Sequence, residues 1–226
     1  MKKIVITGHS KGIGKQLSEY FLKTGYDVYG ISRTKSNNKN ITQFNCDILD
    51  HNKIKKIFKK IKKFDVLINN SSITKYKSNP YERYIKIINT NLIGTYSCCL
   101  AAQKHIKGGS IINISSINAH MAFPNNPGYV SSKGGIKSLT QALALDYSKF
   151  NIRVNSLSPG YINEGMSKAS YLNKKKNYER LDRMIIKRWG KVEDLVGIIE
   201  YLFSDKSSYV TGQDFIIDGG WTIKGL

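Results

Sequence analysis

The stretch Ile4-Val5-Ile6-Thr7-Gly8-His9-Ser10-Lys11-Gly12-Ile13-Gly14 decides how this chain is read. Its first four residues are apolar or β-branched, which is the composition of a buried strand. Glycines follow at 8, 12 and 14, and a segment with helical character continues to about residue 23. A strand that ends in glycines and opens into a helix lets the backbone turn tightly. It then presents free N–H groups and the positive end of a helix dipole to an anion. An ordinary glycine-rich strand–helix turn shares that composition, but the position directly after the first strand favours a dinucleotide phosphate site. The candidate contacts are Gly8, Ser10, Lys11, Gly12, Ile13 and Gly14. Their spacing, G-x-x-x-G-x-G, differs from the more familiar G-x-G-x-x-G.

Outward from this stretch the same alternation repeats. Short apolar, β-branched runs recur at 4–7, 28–32, 41–45, 65–69, 110–115, 152–157 and 215–217. Helical periods lie between most of them, as in Ile54, Ile57, Phe58 and Ile61 at i, i+3, i+4, i+7. Continuously apolar strands alternating with helices predict an α/β fold: one doubly wound Rossmann domain over 1–226. It should hold a parallel sheet of about seven strands with helices on both faces. The lysine-rich run 52–63 reads as a helix with its apolar side on the sheet and its lysines in water. The segment 164–188, rich in Lys, Tyr and Asn and weakly periodic, reads as a mobile excursion over the site.

Composition narrows the class. The chain has 226 residues with 40% hydrophobic content, enough for one substantial core. Lys+Arg number 36 against 16 Asp+Glu, a net charge of +20, yet the lysines are scattered and form no arginine-rich or aromatic-interleaved tract. That pattern argues for a solvated basic surface over a nucleic-acid or membrane partner. A nucleic-acid-binding protein stays as a competing reading, marked by steep salt dependence. The apolar N-terminal run is too short for a signal peptide and no stretch approaches a spanning helix, so the expectation is a cytoplasmic protein. Cys46, Cys98 and Cys99 read as free thiols, and the four histidines lack metal-ligand spacing, so no metal is expected.

The second strand bears on the choice of dinucleotide. NAD sites place an acid at the end of that strand to receive the ribose hydroxyls. This chain instead reads Ser32-Arg33-Thr34-Lys35, with Lys11 in the glycine loop. Cations beside a 2′-phosphate favour NADP(H) over NAD(H).

Further along, Tyr129-Val130-Ser131-Ser132-Lys133 opens a helical run, and residues i and i+4 share a face, so phenol and ammonium project together. Ser116 places a hydroxyl at the carboxyl end of the strand before it, the rim where doubly wound sheets bind ligands. Pro159-Gly160 turns the chain at the same rim.

Taken in order, these features resemble the short-chain dehydrogenases/reductases, single-domain type, over essentially the whole chain. The matching residues are Thr7-Gly8, Gly12, Gly14, Asp47, Asn69-Asn70, Asn91-Leu92, Ser116, Tyr129, Lys133, Pro159-Gly160 and Asp218-Gly219-Gly220. The resemblance implies an oxidoreductase that moves a hydride between the nicotinamide and a carbonyl or secondary alcohol. It implies Tyr129 as general acid/base, Lys133 lowering the phenol's pKa and binding the nicotinamide ribose, Ser116 orienting the reacting oxygen, and Asn91 holding a relay water. It further implies cofactor contacts from Asp47, Ile48, Asn70 and Ile162, a small-molecule carbonyl/alcohol substrate, and a homotetramer or homodimer. Its likeness to 3-oxoacyl-[acyl-carrier-protein] reductases is generic and selects no substrate among acyl thioesters, sugar-type ketones and small alcohols. Two positions depart from the family pattern: Ser71-Ser72 stands for Ala-Gly, and Glu164 stands where a Thr is common. The neighbourhood of these motifs suggests His120, Phe123, Tyr161, Met166 and Trp189 as a substrate wall. The competing reading from another class is a nucleotide-binding sensor or scaffold without turnover.

Overall fold

The computed structural model describes residues 2–106 and 108–224. The elements run β1 (Lys3–Thr7), α1 (Gly12–Lys23), β2 (Asp27–Ser32), β3 (Thr42–Asn45), α2 (His51–Ile61), β4 (Val66–Asn69) and α3 (Pro80–Ile88). They continue with α4 (Gly94–Ala102), β5 (Ser110–Ile114), α5 (Pro127–Tyr147), β6 (Arg153–Pro159), α6 (Lys168–Leu172), α7 (Lys174–Arg183), α8 (Glu193–Phe203) and β7 (Asp214–Ile217). Seven parallel strands form one sheet in the order β3-β2-β1-β4-β5-β6-β7. The chain builds outward from β1 in one direction and then, from β4, in the other. The crevice between the two halves opens at the carboxyl ends of the strands, where such sheets bind ligands.

The period of two along each strand divides the core. Val5, Leu67 and Ile111 pack on one face against α2, α4 and α5; Ile4, Ile6, Val66, Ile68 and Ile112 pack on the other against α1 and α8. All these side chains are buried, which is why the strands read as unbroken apolar runs. The lysine-rich helix behaves as its pattern predicts: Ile54, Ile57, Phe58 and Ile61 are buried, and Asp50 caps its start by accepting from the Lys53 N–H at 2.9 Å. Cys46, Cys98 and Cys99 are free and buried.

The segment after β6 is the one read as an excursion over the site. It forms a short 3₁₀ turn (Gly165–Ser167) and the helices α6 and α7, the second capped by Asn173. Neither helix has a buried residue, so neither shows a strong apolar period. Leu181 and Met184, near and just beyond the end of α7, pack with Trp221. No helix among the described residues is long and apolar enough to cross a membrane.

Candidate functional site

A cavity of about 960 Å³ runs along the carboxyl ends of the strands. It is lined at one end by Gly8, Lys11, Arg33 and Asp47, and at the other by Ser116, Tyr129 and Lys133. That volume is at the upper end of what small-molecule sites use, which suits a dinucleotide together with a substrate. Of the residues singled out in the sequence, Ser10, Gly12, Ile13, Ser32, Ile48, Asn70 and Ile162 also line it. Gly14 and Asn91 do not.

The phosphate loop is built by close approach. Gly12 has φ +57, and a Cβ there would stand 2.9 Å from the Gly165 Cα. Gly14 sits deeper: a side chain on it would collide with the Gly8 carbonyl oxygen and the Asn70 amide nitrogen. Its role is packing of α1 onto the loop, which is why it lies beneath the cavity surface. The Asn70 amide donates to the carbonyl oxygens of Thr7 and Gly8 at 3.2 Å each, while the Thr7 hydroxyl accepts from the N–H groups of Asn70 and Ser71 at 3.1 Å. These bonds clamp β4 to the loop. The helix that follows has no acid in its own first turn and no side-chain cap, so no side chain of α1 competes for its first N–H groups. The observed cradle therefore fits a dinucleotide pyrophosphate.

At the end of β2, Ser32 donates to the Thr34 carbonyl, the Ser10 and Thr34 hydroxyls meet at 3.0 Å, and Arg33 and Lys11 are exposed on the cavity wall. Neither cation belongs to an ion pair among the described residues. Asp47 and Ile48 line the opposite side, and the Asp47 carboxylate accepts from the Leu49 N–H at 3.1 Å.

His9 and Gln43 brace this corner and went unread in the sequence. His9 is buried in the space Gly30 leaves, and its Nε2 lies 3.0 Å from the Gln43 side-chain oxygen. Gln43 also accepts from the Ser36 N–H and donates to the Ser36 and Asn38 carbonyls, tying the 34–40 loop to the glycine loop. Gln43 lies in a half-exposed edge strand, and no periodic signal marks a tie that bridges two loops.

At the other end, α5 carries Tyr129 and Lys133 on its inward face, both buried. Burial pushes the Tyr129 phenol up to about 12, with the Ser116 hydroxyl pulling the other way. Burial lowers Lys133 to about 7. Its ammonium donates to the Ile114 carbonyl at 2.8 Å and stands 5.5 Å from the Tyr129 ring centroid. Ser116 starts a 3₁₀ turn, accepting from the Asn118 N–H at 3.2 Å.

Asn91 sits in a π-helical turn, Asn89–Ile93, between α3 and α4. Its side chain accepts from the Ile73 N–H at 2.8 Å and donates to the Ile73 carbonyl at 2.9 Å and the Ser132 hydroxyl at 3.0 Å. The amide is therefore spent on holding the cavity-lining Ile73 and Ser132, the residue just before Lys133, and does not reach the cavity.

Both departures from the family pattern have a structural account. Ser71 and Ser72 line the cavity, and neither has the positive φ that would demand glycine. Glu164 lines it too, just before Gly165, which stands against Gly12 at the phosphate loop. Of the suggested substrate wall, Phe123, Tyr161 and Met166 line the cavity. His120 and Trp189 do not: His120 pairs with Asp214 at 2.6 Å, and Trp189 packs behind Tyr161 with ring centroids 5.4 Å apart.

Fold and site together define a nucleotide-binding α/β oxidoreductase. Residues 8–222 match the family described as "Enoyl-(Acyl carrier protein) reductase", and the chain belongs to the short-chain dehydrogenases/reductases. It is 32% identical to the 3-oxoacyl-[acyl-carrier-protein] reductase of Chlamydia pneumoniae, over 98% of this chain and 97% of that one. Among solved structures it is similar to a 4-hydroxyisoleucine dehydrogenase complexed with NADH, with 31% identity, 100% of each chain covered and a TM-score of 0.90. It is also similar to a gluconate 5-dehydrogenase from Burkholderia cenocepacia in complex with NADP and tartrate, with 25% identity, 98% and 95% coverage and a TM-score of 0.89. A nicotinamide cofactor and hydride transfer at a CH–OH group follow from this membership.

Proposed function

We propose that this enzyme transfers a hydride between NADP(H) and a carbonyl or secondary alcohol, with Tyr129 as the proton donor and acceptor. The observation that carries the reading is the burial of Ser116, Tyr129 and Lys133 at one end of a cavity whose other end is a glycine cradle bordered by Arg33 and Lys11. The cradle residues Gly8, Ser10, Gly12 and Ile13 hold the pyrophosphate, and Asp47, Ile48, Asn70 and Ile162 border the rest of the dinucleotide. Arg33 and Lys11 receive the 2′-phosphate, which is why NADP(H) is preferred to NAD(H).

The bound nicotinamide supplies the hydride. Tyr129 Oη gives its proton to the carbonyl oxygen during reduction and takes it back in oxidation. With its pKa held near 12 by burial, the phenol is fully protonated at neutral pH, the state reduction needs. Lys133 tunes the phenol only while charged. At a pKa of about 7 it is charged in part, and a neighbouring anion raises that fraction. The Ser116 hydroxyl donates to the reacting oxygen and fixes its position. Asn91 acts as a positioning residue through Ser132 and Ile73.

The surface supports an assembly. Ile93, Tyr96 and Leu100 are exposed at i, i+3 and i+7 on one face of the α4 region, and Leu145 is exposed on α5. We take these as the contacts of a homotetramer or homodimer.

The direct test is NADPH absorbance with a panel of ketones, aldehydes and alcohols. The expected result is carbonyl-dependent oxidation of NADPH that is lost in Tyr129→Phe. NADPH binding without turnover of any carbonyl would replace this reading with that of a nucleotide-binding sensor.

A further inference from the structure

Two cations of the cavity, Lys168 and Arg180, have no part in the chemistry above; Lys168 is exposed, and Arg180 is the one partly buried. Arg180, on α7, lines the cavity from the side of that helix on which Asn177 and Leu181 are also half-buried. Its guanidinium carbon stands 5.0 Å from the centroid of the Tyr161 ring. Tyr161 in turn is wedged edge-on between Trp189 and Trp221, with both centroid distances at 5.4 Å. Tyr161 follows Pro159-Gly160 at the end of β6, next to the strand that delivers Ser116. The guanidinium therefore rests on a rigid aromatic platform at the reacting end of the cavity.

Arg180 is also unsatisfied. Its Nε is buried without a hydrogen-bond partner, and no hydrogen bond or ion pair engages its other N–H groups among the described residues. Leaving a buried donor unpaired is costly, and a guanidinium offers its N–H groups as a planar fork. The two acids that share the cavity stand elsewhere: Asp47 at the end of β3 and Glu164 beside the phosphate loop. Tyr161, on which Arg180 rests, packs against an apolar cluster of Ile117, Met184 and Trp221 together with Phe123, and Ile117 and Phe123 also line the cavity. An oxyanion entering there exchanges water for a fixed fork in a low-dielectric setting, where a charge-assisted pair is strong.

We infer that the substrate carries a small oxyanionic group, a carboxylate or a phosphate, which Arg180 binds from its Tyr161 platform while the carbonyl or alcohol carbon faces Ser116 and Tyr129. The substrate class is then a hydroxy or keto acid, or a phosphorylated equivalent. Neutral sugars, simple ketones and uncharged alcohols are poor ligands. This assignment rests on the oxidoreductase reading for the reacting end, but anion binding itself does not need turnover.

The test therefore reads binding first. Calorimetric titration of the NADPH-loaded chain with tartrate, inorganic phosphate and threitol compares two oxyanions with the neutral tetritol that shares tartrate's carbon skeleton. Tartrate or phosphate should bind at least about tenfold more tightly than threitol. Which of the two is tighter separates carboxylate from phosphate. Arg180→Gln should remove that advantage, Arg180→Lys should restore part of it by keeping the charge without the fork, and Arg183→Gln, whose guanidinium lies over Trp221 outside the cavity, should leave it intact. In turnover, the kcat/KM ratio of 5-keto-D-gluconate to L-sorbose, a pair differing by carboxylate against hydroxymethyl, should fall at least tenfold in Arg180→Gln. Equal binding of the oxyanions and threitol, no oxyanion binding, or an oxyanion advantage that survives Arg180→Gln overturns the inference. Failure of NADPH to bind or to be oxidised tells instead against the oxidoreductase reading, and on the unloaded chain, where the glycine cradle also takes oxyanions, the drop in oxyanion affinity from the unaltered chain to Arg180→Gln still decides the anion site.

Discussion

At the scale of single residues, the site trades stability for chemistry. Lys133 is buried with one carbonyl partner, and burial lowers it from 10.5 to about 7. Between those values the unfolded chain binds a proton that the folded chain does not, so stability from this group is fully present above about 10.5 and is lost as pH falls toward 7. Lys133→Met should therefore raise the melting temperature relative to the unaltered chain, most at and below pH 7, while abolishing turnover. Thermal melts of both proteins from pH 6 to 10 check this, and a gap that does not narrow as pH rises contradicts it. Tyr129→Phe removes only the proton donor; turnover should fall by about 10²- to 10⁴-fold with NADPH affinity retained. Arg33 sits at the other end. A charge-assisted bond contributes on the order of 1.5–3 kcal/mol, so NADPH should be favoured over NADH by at least about tenfold, and Arg33→Ala should erase most of that by weakening NADPH alone. Fluorescence titration of both cofactors against both proteins measures it, and equal affinities in the unaltered chain would show the arginine to be a mere surface charge.

At the scale of elements, the strands were legible because both faces of the sheet are covered. A run such as Val66-Leu67-Ile68 has one reading when every side chain must be buried. The motif residues were legible for a related reason: Gly12 answers to a backbone angle, and Tyr129 and Lys133 answer to a helical spacing. Features that depend on contacts between distant elements left no such trace. The π-helical turn that turns Asn91 toward Ile73 and Ser132 is one; the His9–Gln43 tie is another; Arg180 reaches the cavity only because α7 folds over Tyr161. The same holds for the buried ladder between strands and helix. Asn69 Nδ2 donates to Asn113 Oδ1 at 2.9 Å, and Asn113 Nδ2 donates to Thr140 Oγ1 at 3.0 Å, linking β4, β5 and α5 beneath the catalytic face. Because α5 carries Tyr129 and Lys133, the ladder sets their depth. Asn113→Ala leaves Asn69 and Thr140 short of partners and should cost about 1–3 kcal/mol in urea unfolding and lower turnover. A loss under about 0.5 kcal/mol would mean that packing, not the ladder, seats α5.

At the scale of the whole molecule, one face stays apolar after the fold is complete. The domain covers both sides of its sheet, so no exposed hydrophobic is left for want of a layer within the chain. Yet Ile93, Tyr96 and Leu100 line up on one side of the α4 region, and Tyr84 and Ile85 stand exposed on α3, which leads into it. In the proposed assembly these side chains are the contact, and a protein carrying +20 charges needs a substantial apolar area for like chains to meet. A stable interface buries about 800 Å² on each partner, an area that two adjoining helices can supply. The proposed contact would reach the site through the π-helical turn: Ile93 is the turn's last residue, and Asn91, two positions earlier, holds Ser132 on α5. Assembly should therefore support catalysis as well as solubility. Sedimentation equilibrium at micromolar concentration should give a dimer or tetramer for the unaltered chain, with Tyr96→Glu/Leu100→Glu shifted to monomer by charge placed in the apolar contact. The monomer should lose turnover more than NADPH affinity, since the phosphate loop at the far end of the cavity does not touch that face. Raising salt should tighten the unaltered assembly by screening the basic surfaces, and a chain that sediments as a monomer in both low and high salt contradicts the interface.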